Sequence, residues 1–468
     1  MKYLVYLSRI LVGSLFIVSG LIKANDPKGF SYKLEEYFAE SALNWPALEP
    51  YALVLAILVC YGEIILGFAL LFGARFKLTT ITLAVLCLFF LWLTDYTADC
   101  LEDGPGTYMK LVDGVEQEFE KTCVDDCGCF GDAMKGSIGR SLTPKESFYK
   151  DLIALIALAP SLLWLLFGAG KEYFKLNGPK ADLVLFIGSL IGVAIWSWIF
   201  SWMFPIWFTL AGWAIYWLIK KYLGQEVKHE WIMAAGITLM ALIFIWRVTT
   251  DLPLRDYRPY AEGNNLKELR KSAEELNLDP PVYATEYTFT NSQNGKDTIV
   301  LSTDWLKIYK EPWFKKYEKK SFNGKSVLVK LGYEPLIPPD FAFESIENGE
   351  ITEDILNDAR ASFLFITYDV EKADKKASQS FATLATAIQN KGLPIYGATS
   401  SDLTGAAEDY RHEYQMGFEF LQGDEKVLKT IVRSNPGVVL LKDGVVLKKW
   451  SSASIPSSEE LAEYDIGF

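Results

Sequence analysis

Seven apolar runs fill the first half of this chain, and the second half has nothing like them. A helix needs about 20 mostly apolar residues to cross a bilayer. Leu4–Ile22, Ala52–Phe72, Leu78–Leu93, Phe148–Phe167, Leu183–Trp202, Ile206–Ile219 and Trp231–Trp246 therefore read as spans. From Leu183 to Ile219 there is no charge over 37 residues. At 1.5 Å per residue an unbroken helix there would run roughly 55 Å, far beyond a ~30 Å hydrocarbon core. A turn is predicted at Met203-Phe204-Pro205. The first run carries Arg9, and Ala24-Asn25-Asp26-Pro27 is a poor cleavage site, so a retained span is expected rather than a signal peptide.

Charges between the runs give a topology. With seven spans, Arg75 and Lys77, then Lys171, Lys175 and Lys180, then Lys220, Lys221 and Lys228 all fall on one side. The positive-inside rule makes that side cytoplasmic. The N-terminus is then cytoplasmic, and the polar segment 96–147 and the C-terminal half share the opposite compartment. Trp196, Trp198, Trp202 and Trp207 gather near the outer corner, as interfacial tryptophans do. Arg9 and Glu63 fall inside spans, where charge is costly and usually paired. An intramembrane Arg9–Glu63 ion pair is expected, with a proton site, a quinone site, or snorkelling of Arg9 as the other readings. Gly13, Gly20, Gly62 and Gly67 would let the first two spans approach closely.

Segment 96–147 holds the sulfur chemistry. Thr107–Val112 and Val115–Thr122 flank Asp113-Gly114, a hairpin signal. Cys100 and Cys123 bracket that hairpin and are expected to form a structural disulfide. It would close a loop of about 24 residues and contribute on the order of 3 kcal/mol. Cys127-Gly128-Cys129 remains. A redox dithiol at Cys127 and Cys129, ordinary disulfides of other connectivity, and a zinc knot all stay open for it. An oxidising compartment suits the loop. Thr143-Pro144-Lys145-Glu146 reads as a capping box opening the next span.

Beyond Thr249 the chain turns polar. Tyr283–Thr290 and Thr298–Thr303 alternate around Asn294-Gly295 as a hairpin. From Phe341 the pattern becomes βαβ: a strand at Ser362–Tyr368, a helix at Ser378–Gln389, a strand at Leu393–Ala398, a helix at Leu403–Gln415, and a hairpin of Val438–Leu441 and Val445–Trp450. The overall balance of −12 argues against a nucleic-acid partner. With only His229 and His412, histidine metal sites and histidine-dependent triads are not expected.

Arg9 to Gly20, Lys23-Ala24-Asn25-Asp26-Pro27, Glu63 and Cys127-Gly128-Cys129-Phe130-Gly131-Asp132 together resemble the DoxX-like and MauE-like membrane proteins, in particular the long versions of Bacteroidota. The resemblance implies a four-helix membrane bundle over 1–168, with the cysteine loop 96–147 periplasmic. It also links the chain to sulfur redox at the membrane: maturation of a disulfide-rich periplasmic dehydrogenase for MauE, and thiosulfate oxidation with quinone as acceptor for DoxX relatives. Arg433 to Leu441 resembles the thioredoxin-like core of the TlpA-type branch, with Pro436 at that fold's cis-proline. The active-site cysteines are missing. Asp369-Val370-Glu371-Lys372-Ala373-Asp374 stands where they would follow the first strand, so no low-pKa thiolate is available there.

The expected fold is thus multi-domain: an α-helical membrane bundle, 1–168, with three further spans over 181–248, a periplasmic linker with a hairpin over 249–340, and an α/β thioredoxin-like domain over 341–468. The expected role is a bacterial inner-membrane envelope protein that anchors a periplasmic or membrane protein partner through the Pro436 face of a redox-inactive domain. The alternative is a membrane thiol–disulfide protein using Cys127 and Cys129, with quinone as the candidate cofactor. A transporter is the third class, and no pair of inverted repeats with broken helices supports it.

Overall fold

The computed structural model describes residues 2–103, 106–112, 115–124, 128, 130–134, 140–167, 178–223 and 227–464. Cys127, Cys129 and the Asp113-Gly114 turn lie outside the described residues.

The apolar runs form long helices: α1 (Lys2–Asn25), α3 (Ala52–Phe72), α4 (Phe76–Asp103), α5 (Pro144–Phe167), α6 (Pro179–Ile199), α7 (Phe204–Tyr222) and α8 (Val227–Thr250). Between α1 and α3 lies a shorter helix that the hydrophobic pattern did not announce, α2 (Pro27–Phe38). Asp26 caps it by accepting from the Gly29 amide, and Pro27 occupies the first helical position, where its missing N–H costs nothing. Among the described residues, six helical stretches, Lys2–Asn25, Pro46–Phe72, Phe76–Leu101, Pro144–Phe167, Pro179–Ile199 and Glu230–Thr250, are long and apolar enough to cross a membrane. α7 is less apolar because it is rich in Trp and Tyr and ends in Lys220 and Lys221. The corner at Met203 is present: α6 ends at Ile199, and Pro205 sits in the first turn of α7.

α1 is the axis of the bundle and touches α3, α5, α6, α7 and α8. Glycines set its contact with α3. A Cβ on Gly20 would lie 2.9 Å from the Ile64 nitrogen and 3.0 Å from the Cys60 oxygen, and one on Gly67 would lie 2.9 Å from the Gly13 oxygen. The two backbones meet because no side chain separates them. Gly62 has open space beside it and takes no part. Polar pairs lock the later helices. Lys220 of α7 pairs with Asp182 of α6, Tyr216 donates to Asp182 at 2.7 Å, and the Trp213 indole donates to Ser189 at 3.0 Å.

α4 runs on to Asp103, seven residues past the predicted start of the loop at 96. β1 (Thr107–Val112) and β2 (Val115–Glu120) follow as the predicted antiparallel hairpin. Cys100 and Cys123 are joined by a disulfide at its base.

Past α8, β3 (Val282–Asn291), β4 (Asp297–Leu301) and β5 (Tyr317–Lys330) make a three-stranded antiparallel sheet with its own small core of Phe289, Val300 and Phe314. The last part is a seven-stranded sheet in the order β12-β11-β8-β9-β10-β6-β7. Its strands are β6 (Glu344–Ser345), β7 (Gly349–Glu350), β8 (Ala361–Ile366), β9 (Ile395–Thr399), β10 (Phe420–Gln422), β11 (Gly437–Lys442) and β12 (Val445–Ser451). β8, β9 and β10 are parallel; β11 runs antiparallel to both β8 and β12. Every residue of β8 is buried, as for a strand covered on both faces. One face packs on α9 (Lys375–Asn390) through Phe381, Ala385 and Ile388. The other packs on Phe341, Leu428 and Val432. Tyr260, Leu266 and Ile337 belong to that second core as well, so the segment read as a linker over 249–340 contributes core residues at both its ends. The Asn435–Pro436 bond is cis.

Candidate functional site at the junction of bundle and sheet domain

The predicted ion pair is re-partnered. Arg9 does not meet Glu63. It donates from Nε to the Leu70 carbonyl at 2.8 Å and from Nη2 to the Leu71 carbonyl at 2.6 Å, at the C-terminal end of α3. A cation there meets the negative end of the helix dipole and the carbonyls of its last turn. The partner of Glu63 is Lys23, with Nζ 2.5 Å from Oε1; Lys23 also donates to Ser19 at 3.0 Å. Register explains the exchange. In the antiparallel α1–α3 pair Arg9 lies level with Leu71, and Glu63 is eight residues, or about 12 Å of helix, further along. Lys23 closes α1 at the level of Glu63. It fell just outside the apolar run, so the sequence reading left it out.

Above Lys23 the chain folds a charged lattice that joins α2 to the sheet domain. Arg433, three residues before the cis-proline, directs Nε at both Asp26 oxygens, at 3.2 and 2.9 Å, and donates from Nη1 to the Lys429 carbonyl at 2.6 Å. Lys28 donates to the Arg433 carbonyl at 2.9 Å. Tyr32 sits under the Lys429 ammonium, 4.8 Å from ring centre, and 3.4 Å from the Tyr368 hydroxyl. Asn25 and the backbone of Arg255 exchange two hydrogen bonds, at 2.6 and 3.2 Å. Asp256 is held by Arg258 at 2.7 Å and by Lys449.

These carboxylates stay ionised. Burial works to raise the Asp26 carboxyl, but the charges of Arg433 and Arg258 and the Gly29 amide outweigh it and hold it below the ordinary range. Asp256 behaves alike: burial opposes ionisation, and Arg258 and Lys449 overcome it.

The cis-proline loop also closes over the segment Asp369–Asp374. The Asn435 amide donates to the Asp369 carbonyl at 2.6 Å, and the Asp374 amide donates to the Asn435 carbonyl at 3.1 Å. Pro436 therefore stands beside Asp369–Asp374, which offers no thiol.

Beneath this junction is a cavity of about 400 Å³ lined by Lys23, Asp26, Phe30, Gly128, Arg258 and Arg433, among others. Gly128 is the link to the cysteine loop. Its φ is +63°, in the region that glycine tolerates, and a Cβ there would come 3.0 Å from the Lys33 side chain. Phe130 follows, its ring 5.0 Å from Phe200 of α6. Cys127 and Cys129 lie outside the described residues; Gly128 between them and Phe130–Ala133 after them border the cavity. α2 was the element sequence reasoning missed. Its signals were present: Asp26-Pro27 as cap and first position, then Phe30, Leu34, Tyr37 and Phe38 at helical spacing.

No curated protein matches this chain. Residues 1–98, which carry α1 to α3 and most of α4, match the family described as methylamine utilisation protein MauE, and over that stretch the chain is similar to this membrane family.

Proposed function

We propose that the chain is a membrane thiol–disulfide protein of the bacterial inner membrane, in which a cysteine-free thioredoxin-like domain caps the chain's own Cys127-Gly128-Cys129 loop. The observation that carries the reading is the cavity shared by Gly128, α2 and Arg433. The cis-proline face that such domains turn toward extended peptide is here turned toward the membrane bundle through Asp26 and Arg433. Support for the domain type comes from the order β8–α9–β9 followed by a cis-proline and an antiparallel hairpin.

Seven crossings are our reading, and with them segment 96–147 and the sheet domain share one compartment. α7 joins the end of α6, where Phe200 accepts from Tyr257, to the start of α8, where Glu230 meets Arg75. Its 19 residues extend about 28 Å, and Trp213 and Tyr216 are fully buried within the bundle. Arg75, Lys180, Lys220 and Lys221 then collect at the end remote from the sheet domain, which the positive-inside rule makes cytoplasmic.

The chemistry balances as follows. A thiolate of a periplasmic partner attacks the Cys127–Cys129 disulfide and forms a mixed disulfide. A second partner thiolate displaces it, and the partner leaves oxidised. Cys127 and Cys129 then hold two electrons and two protons, and a quinone is the class of acceptor that resets them. In a Cys129→Ala variant the Cys127 thiolate can attack the disulfide of the oxidised partner, releasing one partner thiolate, and has no second cysteine to resolve the adduct, so it should trap a mixed disulfide through Cys127, seen as a reductant-sensitive adduct on non-reducing gels. No adduct, with both cysteines permanently oxidised in the wild type, would sink the proposal.

A second reading, anchoring of a protein partner, is favoured by one observation. The β3–β5 region exposes Ile299, Leu306, Trp313 and Leu331, more apolar surface than a free lobe needs. A stoichiometric partner that co-purifies regardless of reductant, and is lost when 282–331 is deleted, would select it.

A further inference from the structure

A second site lies inside the bundle, directly under the cavity described above. Its wall residues Lys23 and Phe130 line both spaces. The lower space holds about 20 Å³ and is bordered by Ser19, Lys23, Glu63, Phe90, Lys150 and Asp151, among others. Two carboxylates reach it from different helices. Glu63 of α3 is 1 % exposed and Asp151 of α5 is 5 % exposed.

Each spends one oxygen on an ammonium. Glu63 Oε1 is 2.5 Å from Lys23, and Asp151 Oδ1 is 3.0 Å from Lys150. The second oxygens, Glu63 Oε2 and Asp151 Oδ2, are buried and have no hydrogen-bond donor. A buried acceptor left in that state costs about 1–3 kcal/mol, more for a charged group. Two such acceptors on one small space ask for a ligand that donates two hydrogens. The volume suits one water, which needs roughly 10–15 Å³. A metal cation is disfavoured, because Lys23 and Lys150 already neutralise both carboxylates.

We propose that Glu63 and Asp151 form a proton-binding site, sharing one proton through a single water between Glu63 Oε2 and Asp151 Oδ2. Each carboxylate keeps a buried oxygen that no donor reaches, and a proton held in common through the water serves both oxygens at once. The charged groups that set its affinity are Lys23 from α1 and Lys150 from α5, while Cys60 one turn away on α3 and Cys87 on α4 are buried, uncharged thiols. Lys23 and Phe130 stand between the site and the upper cavity. This inference is independent of any thiol chemistry at Cys127 and Cys129.

The test is infrared difference spectroscopy on the full chain in lipid nanodiscs. Ordinary Asp and Glu side chains titrate near 4. A carboxylic C=O band that persists well above about pH 5, and is shifted by deuterium exchange, is the expected signature. Glu63→Gln and Asp151→Asn should each abolish it. A band that survives either substitution overturns the sharing, and no band in the wild type overturns the site. Lys150→Met removes a partly exposed ammonium and should move the band's titration to higher pH with the fold intact; an unmoved titration also refutes the proposal.

Discussion

Replacing Arg433 by methionine tests whether the junction is a designed contact or a loose apposition. Methionine keeps much of the apolar stem and removes the guanidinium. Asp26 then keeps the Gly29 amide at 2.9 Å and the nearby charge of Arg258 and loses both contacts from Nε. A hydrogen bond to a charged group contributes about 1.5–3 kcal/mol. The guanidinium also lies 5.3 Å over the Tyr32 ring, a cation–π contact that adds about 0.5–1 kcal/mol. Docking of the sheet domain on α2 should weaken by about 2–4 kcal/mol, or roughly 30- to 700-fold in the docked population. Lys28, Asn25 and Asp251 still bridge the parts, so the domain loosens rather than detaches. Hydrogen exchange of the full chain in nanodiscs reads this directly. Amides of α2 and of residues 252–258 should exchange faster by a factor within that range, while β8 and β11 keep wild-type protection. Unchanged exchange at α2 would refute the reasoning, because it would mean that Asp26–Arg433 does not hold the junction.

Three further outcomes follow from the same geometry. Gly20→Ala should cost about 1–3 kcal/mol of bundle stability by overpacking Ile64 and Cys60, whereas Gly62→Ala, with open space beside it, should be neutral or slightly stabilising; thermal denaturation in detergent compares them, and equal effects would be contrary. Cys100→Ser with Cys123→Ser should destabilise the β1–β2 hairpin by about 3 kcal/mol, the loop-closure value for the 23-residue separation, read as faster proteolysis within 104–122 and no change in β11. Acid should undock the sheet domain only late: Asp26 and Asp256 have folded-state values below the ordinary range, so their contribution is complete above the unfolded value near 3.9 and is lost as pH falls through the lower folded values. Exchange at α2 should therefore be flat from neutral pH down to about 5 and rise below about 4, and a rise beginning near neutrality would contradict the assignment.

The sequence carried the large elements well, for a physical reason. A run such as Ala52–Phe72 can satisfy its backbone only as a helix when no water is present, and the observed α3 has those bounds. The alternating segments around Asp113-Gly114 and Asp443-Gly444 paired as read. Short-range signals failed where apolar content was low. α2 has the cap and the spacing of a helix, yet its Lys and Glu residues hid it among loops. Tyr260 and Leu266 looked like linker, because joining the core of a sheet 100 residues away leaves no local mark.

The re-pairing of Glu63 shows where local reading stops. Two charges in neighbouring apolar helices suggest a pair, and Arg9 and Glu63 were the pair in view. Partnership in an antiparallel bundle depends on axial level, and level is fixed by which small residues touch. Gly20 against Cys60 and Gly67 against Gly13 set that level, and once set it sends Arg9 to the α3 carbonyls and brings Lys23 to Glu63. The same register places the Glu63–Lys23 pair directly beneath the junction cavity, with Asp151 across from it. A glycine contact between two spans thus determines which charges face the cavity that Gly128 borders. Enlarging Gly20 should therefore disturb not only bundle stability but also the environment of Glu63, two effects that a purely structural glycine elsewhere, such as Gly62, would not produce.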